Sequence, residues 1–340
     1  ATPAPFQHDD LVTSSLADLL TALPSSMWVD GDVSQEVWED ALLKPARDIL
    51  SRSGKGFRGR FLEHAWSLGG GDPEALPPLL PVVVELLHAG SLVIDDIEDD
   101  SHTRRGAPAL HRLYGVPIAL NTGNWLYFRS LSLLSRLPFD AERRIALLED
   151  VTRGLLRCHQ GQALDVSVRV TSTPRVEIRP LVATTTRLKT GALLGLASVL
   201  GARGAGAGPQ TLSAICAFGT EVGVALQMLD DWSGIHVEAR RKKGIEDLRN
   251  ARPTWPWAWL DECTDQVTFM EMIQRARKAS IDWELEQVRE RLYAHLSTTA
   301  PERIALQFQV ALAHLSDAPI RHDRLDAVRA DLNALAQAYD

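Results

Sequence analysis

Residues 92–100 read Leu92-Val93-Ile94-Asp95-Asp96-Ile97-Glu98-Asp99-Asp100, an apolar run that ends in five acids within six positions. The residues before it, 81–94, carry apolar side chains at helical spacing and two small ones, Ala89 and Gly90, which predicts a buried helix. On such a helix Asp95 and Asp99 stand at i and i+4 and share a face, while Asp96 sits about 100° around it. Two carboxylates ~4 Å apart repel by roughly 4 kcal/mol at an effective dielectric of ~20. A cluster of this kind at the end of a core helix calls for protonation, water or a cation. Carboxylate oxygens suit Mg²⁺, which takes one or two of them and completes its shell with phosphate oxygens. A solvated acidic helix end is the competing reading of the same residues.

The helical period continues on both sides of this stretch. It covers 10–23, 34–50, 57–68, 77–100, 118–135, 140–167, 175–201, 209–237, 268–296, 302–316 and 321–338. Strand alternation is confined to 166–170, just before the turn residues Thr171-Ser172-Thr173-Pro174. No linker, repeat or low-complexity tract divides the chain. The expectation is an all-α fold: a disordered arm at 1–9, then one helical-bundle domain over 10–340 with a central cavity lined from facing helices.

A second acid pair closes another long apolar helix, in Leu226-Gln227-Met228-Leu229-Asp230-Asp231-Trp232-Ser233-Gly234. Both pairs are followed by cations: Arg104 and Arg105 after the first, Arg240, Arg241, Lys242 and Lys243 after the second. Two such clusters facing each other across a bundle would cage a polyanion together with divalent metals. Three further segments fit that chemistry. Ser53-Gly54-Lys55-Gly56-Phe57-Arg58-Gly59-Arg60 alternates glycines with cations before a helix start, a loop that lets backbone N–H groups approach an anion, or else a basic surface loop. His88 lies two helical turns before Asp95, where a core histidine is the plainer reading. Arg187-Leu188-Lys189-Thr190-Gly191 brings a lysine into an apolar small-residue stretch, either snorkelling or facing an anion. His159, Gln162 and Asp165 share one helix stripe, a cavity wall or a wetted face.

The bulk numbers exclude more than they select. A net charge of -8 argues against a nucleic-acid backbone as main partner. Apolar content of 45% with 24% charged residues is ordinary for a soluble globular protein. Cys158, Cys216 and Cys263 are widely spaced and without a CxxC pair, so neither a disulfide framework nor a zinc site is expected. A reducing cytoplasm is the expected compartment. The first ten residues lack a basic start and apolar core of a signal peptide, and no run is read as membrane-spanning.

Taken together, these motifs resemble the trans-isoprenyl diphosphate (polyprenyl) synthases, most of all the geranylgeranyl diphosphate synthases of eukaryotic type. The resemblance covers roughly residues 50–260 and is densest over 88–128, HAGSLVIDDIEDDSHTRRGAPALHRLYGVPIALNTGNWLYF. It implies an isoprenoid-synthase-like all-α bundle, a homodimer, and condensation of isopentenyl diphosphate with an allylic diphosphate. It further implies Mg²⁺, three ions with bound diphosphate, held by Asp95, Asp96 and Asp99 of the first motif and by Asp230 and Asp231 of the second. Arg104 matches the arginine on the allylic diphosphate. Lys55, Arg58, His88 and Arg105 match the isopentenyl diphosphate site. Lys189 and Thr190 match the Lys-Thr pair, Gln227 the glutamine before the second motif, and Lys243 the lysine after it. Metals and cations would draw charge onto the leaving diphosphate, and a dry apolar tunnel would receive the growing chain.

The chain departs from this pattern in several places. Gly234 stands where the second motif has its third acid or asparagine. Gly59 replaces a proline, and Arg252 a later lysine. Trp232, Trp255, Trp257 and Trp259 crowd the same region, as core packing or as aromatic walls that attract a carbocation. These departures keep a terpene cyclase, or a prenyltransferase to a non-isoprenoid acceptor, as the alternative, with a non-catalytic regulatory subunit behind it. The intact isopentenyl diphosphate set opposes the cyclase. Gly90 and Ser91, five and four residues before Asp95, are small and leave the tunnel unplugged, so a product of about C20 or longer is expected.

Overall fold

The computed structural model describes residues 33–52 and 56–339. The expected arm at 1–9, the helix at 10–23 and Lys55 lie outside the described residues. What is described is all-α apart from one two-stranded ribbon. Two compact units can be distinguished, the first within 1–63 and 74–148, the second within 64–73 and 149–340.

In the first unit, α1 (Gln35–Trp38) runs through a wide π turn, Glu39–Leu43, into α2 (Lys44–Ser51). The start of α3 (Phe57–Leu68) follows, then α4 (Leu79–Glu98), the ribbon of β1 (Thr103–Arg104) and β2 (Ala107–Pro108), α5 (Leu110–Tyr114) and α6 (Val116–Leu134). α4 is the predicted acid-tipped core helix. Its Leu80, Val83, Val84, Leu87 and Val93 are almost fully buried. It packs on α6 at very close range: a Cβ on Gly90 would stand 2.8 Å from the Gly123 carbonyl oxygen. Gly90 is therefore small because a neighbouring backbone lies against it. Its size says nothing about open tunnel space, and only Ser91 is left to support that part of the chain-length argument.

The second unit takes α7 (Ala141–Ser167) beyond residue 148, then α8 (Arg175–Thr186). α8 continues through a second π turn, Arg187–Gly191, into α9 (Ala192–Gly204). After these come α10 (Pro209–His236), α11 (Arg241–Arg249), α12 (Trp255–Cys263), α13 (Gln266–Lys278), α14 (Asp282–Leu296), α15 (Thr299–Ala313) and α16 (Leu325–Gln337). α10 is the axis, packed by α9, α11, α12, α14 and α15. By length and composition alone it would reach across a membrane, contrary to the expectation that no run does. Half of its most apolar window is buried inside the protein, and Phe218, Val222 and Ala225 are sealed in the core, as in the central helix of a soluble bundle.

Three sequence expectations shift. The strand candidate at 166–170 is instead the end of α7 and a 3₁₀ turn, Val170–Ser172, whose Val170 N–H donates to the Ala251 carbonyl at 2.8 Å. α11 and α12 had no counterpart, because charge hides the period of one and prolines and tryptophans that of the other. The helix expected over 268–296 is two helices broken at 279–281.

Candidate active site

The first acid run is built by a turn that doubles back on it. After α4 ends, Asp100 adopts φ +53° and the Ser101 N–H donates to the Asp96 carbonyl at 2.9 Å. The short ribbon then returns Arg104 to the helix end. Its Nε donates to Asp96 Oδ1 at 2.8 Å, its Nη2 reaches the same oxygen, and Nη2 lies 3.7 Å from Asp95 Oδ2. Arg52 fixes the ribbon from behind: its Nη1 donates to the carbonyls of Arg104 (3.1 Å) and Pro108 (2.9 Å). Arg52 is held in turn by Asp48 at 2.8 Å, and Asp48 accepts from the Tyr114 hydroxyl at 2.9 Å. Arg105 sits at φ +51°, uncommon for a residue with a Cβ, and donates to the Arg52 carbonyl at 3.1 Å.

Beside this turn lies a basin of positive charge. Arg58 Nη1 is 2.9 Å from His88 Nε2. Burial, followed by the charges of Arg58, Arg105 and Arg104, holds His88 well below the usual histidine range, so the ring is neutral and accepts the Arg58 hydrogen bond. Glu85, the acid nearest by sequence, turns to α3 and accepts from the Gly59 N–H at 3.0 Å. Of the sequence-predicted set, Arg58, His88, Arg104 and Arg105 are therefore brought together with Asp95 and Asp96. Guanidinium groups gathered round a neutral imidazole suit a diphosphate.

The second acid pair is organised by backbone contacts that only glycine permits. The π turn Arg187–Gly191 carries Lys189 and Thr190, and it is gripped from two sides. A Cβ on Gly161 of α7 would stand 2.5 Å from the Lys189 nitrogen, and one on Gly223 of α10 would stand 2.7 Å from the Gly191 Cα. π turns interrupt α-helices chiefly at functional sites. This grip lets the Thr190 hydroxyl donate to Gln227 Oε1 at 2.7 Å, and Gln227 Nε2 donate to Asp231 Oδ1 at 2.8 Å. The Trp255 N–H donates to Asp231 Oδ2 at 2.9 Å. Asp230 Oδ1 accepts from Arg240, and its Oδ2 lies 2.9 Å from Lys243 Nζ. Lys243 also reaches Asp247 at 3.2 Å. Lys189 faces an anion, Asp165, at 2.7 Å, and Arg252 stands 3.3 Å from the same carboxylate. Asp165 thus belongs to a half-buried ion cluster, whereas His159 of the same stripe is exposed.

The buried acids differ in how readily they ionise. Burial raises Asp96 above the usual carboxylate range despite its Arg104 hydrogen bond. For Asp230, burial is outweighed by Lys243 and Arg240, and its pKa is lowered. Burial pushes Asp231 up to about 7. A raised carboxyl pKa contributes stability below its unfolded value near ~3.8, and that contribution is lost as pH rises through about 7. Between pH 6 and 8 the loss is ~1.4 kcal/mol, one pKa unit's worth. The variant Asp231→Asn mimics the neutral acid. Its thermal midpoint is expected to fall less over that pH interval than the parent's, by about one to three degrees, read by circular dichroism. Parallel curves for the two proteins would refute this assignment.

The oxygen atoms also show where Mg²⁺ would fit. Asp96 Oδ2 is buried with no hydrogen-bond partner, Asp95 is 22% exposed, and Asp99 is half-buried. This is a hard-oxygen donor set with one buried carboxylate oxygen, Asp96 Oδ2, left unpartnered, and it fits. Among the described residues no three His, Cys, Asp or Glu converge to hold an ion alone. That arrangement suits an ion that borrows phosphate oxygens and water. The second pair is the more fully compensated of the two: all four of its carboxylate oxygens already receive protein donors.

Sequence reasoning missed Arg52 and Asp48, and read Arg240 only as one of a run of cations. Arg52 adjoins the glycine-rich basic segment and Arg240 opens the cation run 240–243, so position in the chain was the available signal. Trp232, Trp257 and Trp259 are all core, and Trp232 also stacks on His236 (5.2 Å) and Tyr293 (6.0 Å).

A helical chain whose helix-end carboxylates are set among guanidinium and ammonium groups defines a class of protein suited to polyanions, with oxygen donors on which a divalent metal would fit. The chain belongs to the polyprenyl synthetase family, whose sequence model matches residues 39–291. It is 34% identical over 220 residues to geranylgeranyl pyrophosphate synthase 2 of Zymoseptoria tritici, covering 64% of each chain. It is 28% identical over 248 residues to the geranylgeranyl diphosphate synthase of Sulfolobus acidocaldarius, covering 72% of this chain and 70% of that one. The matched stretch spans 64% of the first of these, and 50% of geranylgeranyl pyrophosphate synthase D of Phomopsis amygdali. The fold is that of the geranylgeranyl pyrophosphate synthase from Corynebacterium glutamicum, a structure with isoprenyl diphosphate and magnesium. The TM-score is 0.82 at 23% identity over 97% of both chains.

Proposed function

We propose that this protein is a Mg²⁺-dependent trans-prenyltransferase that condenses isopentenyl diphosphate with an allylic prenyl diphosphate, giving a linear product of about C20 or longer. The observation that carries this reading is the neutral His88 ringed by Arg58, Arg104 and Arg105 beside the first acid run. A cyclase has no use for a second diphosphate site, and the charge of this basin supports one. The relatives named as geranylgeranyl synthases support the C20 class.

Arg58, His88 and Arg105, with Lys55 from outside the described residues, would hold isopentenyl diphosphate. Arg104 of the first unit, and Lys189, Thr190, Gln227 and Lys243 of the second, are each assigned to the allylic diphosphate on their match to the family's motifs. Asp95, Asp96 and Asp99 would hold Mg²⁺, which when bound draws charge from the leaving diphosphate. The allylic C–O bond breaks with its electron pair going to diphosphate. The second substrate's double bond then attacks the allylic carbon, and a proton leaves, with the released diphosphate as its acceptor. The protein contributes charge and alignment and no nucleophile.

A homodimer is supported by exposed apolar side chains on α6 and the start of α7, namely Val116, Leu120, Phe128, Ile145 and Leu148. The unpaired Cys158, Cys216 and Cys263 suit a reducing cytoplasm. The test is a product assay with Mg²⁺, giving farnesyl or geranylgeranyl diphosphate with and without isopentenyl diphosphate. Linear prenyl alcohols, after hydrolysis, that lengthen only when isopentenyl diphosphate is present are expected. Hydrocarbons or cyclic alcohols formed without it would move the chain to the cyclases, and a mainly C15 product would refute the length.

A further inference from the structure

Gly234 is more than a lost acid. It stands on α10 where a Cβ would lie 3.0 Å from the Gly244 Cα and 3.2 Å from its nitrogen, and a Cβ on Gly244 would overlap the Gly234 carbonyl. α10 and α11 therefore touch backbone to backbone at this point, closer than any side-chain-bearing pair can. An aspartate or asparagine at 234 would push α11 away. The contact sets the short connection between the helices, and that connection carries the cations. Arg240, in the 3₁₀ turn Glu238–Arg240, reaches Asp230 Oδ1, and Lys243, in the first turn of α11, reaches Oδ2 at 2.9 Å. Arg240 is itself backed by the Tyr339 ring, 4.9 Å from its guanidinium carbon, a cation–π contact that steadies it. Gln227 and the Trp255 N–H close both oxygens of Asp231.

We propose that in this chain protein cations take the place of the metal at the second aspartate pair, with Arg240 and Lys243 carried onto Asp230 by the Gly234–Gly244 contact. The missing third acid and the cations on Asp230 are then linked: the glycine that removes a ligand also admits the helix that brings positive charge to the pair. The three ions implied by family resemblance reduce to those held at Asp95, Asp96 and Asp99. This deepens the prenyltransferase reading and rests on Mg²⁺ acting at the first acid run.

The test counts ions and does not depend on turnover. The full chain is titrated with Mn²⁺ in the presence of inorganic pyrophosphate, and free Mn²⁺ is read by electron paramagnetic resonance. Asp230→Asn is expected to leave the number of bound ions unchanged. Arg240→Gln, which frees one carboxylate oxygen, is expected to add one ion per chain. A count that falls by one in Asp230→Asn overturns the proposal, as does an unchanged count in Arg240→Gln, which serves if Asp230→Asn does not fold. A parent that binds no Mn²⁺ at all refutes the metal reading of the first run while leaving Asp230 metal-free, as proposed.

Discussion

Changing Asp95 and Asp99 together to asparagine is expected to lower kcat by about 10³ or more and to leave the fold intact. Both residues sit on the solvent-facing side at the end of α4, and neither is a core packing group; Asp95 is 22% exposed. The amides keep shape and hydrogen bonding but remove the charge a divalent cation needs. Transition-state stabilisation by a metal is worth several kcal/mol, and each 1.36 kcal/mol is tenfold in rate. Asp96 survives in the variant with one open oxygen, but a single carboxylate shared with Arg104 does not replace three. Saturating Mg²⁺ should therefore not restore the rate. Steady-state kinetics with farnesyl and isopentenyl diphosphates would check this, alongside thermal unfolding. A rate within tenfold of the parent's would show that the first run is not the metal site.

Arg104→Ala is expected to damage stability and rate together. Asp96 is 1% exposed, and its salt bridge to Arg104 is its strongest compensation. Removing one member of a buried pair typically costs ~3–5 kcal/mol. Here the figure falls toward the lower end, because burial already favours the protonated form of Asp96. The rate should drop by ~10²–10³, as for loss of one donor to a developing anion. The double variant Arg104→Ala with Asp96→Asn separates the two effects. It should recover most of the lost stability, since no buried charge remains, and none of the lost rate. Recovery of both would mean that Arg104 serves only to neutralise Asp96.

Much of this was legible in the sequence because it rests on local chemistry. The period of 81–94 gave α4, and the acid runs gave the tips of α4 and α10. The basic and Lys-Thr segments gave Arg58, Arg104, Arg105, Lys189 and Thr190. What the sequence hid depends on residues far apart in the chain. Gly234 reads as a missing ligand until Gly244 is seen against it, and Gly90 reads as tunnel space until Gly123 is seen against it. Arg52 reaches 52 and 56 positions along the chain to fix the ribbon, a partnership no spacing rule expresses. The same holds for Lys189, whose anion is Asp165.

The π turn at Arg187–Gly191 has a consequence for engineering. A turn of this kind closes i→i+5 hydrogen bonds and so holds one residue more than the α-helix around it. Deleting that residue would rejoin α8 and α9 into one regular helix, but would swing everything beyond it by about 100° and carry Thr190 away from Gln227. A library selected for thermostability alone would tend to favour such repairs, since stability optimised without regard to function erodes strained functional sites. Any campaign to harden this protein should hold residues 187–191 constant and screen for turnover in every round.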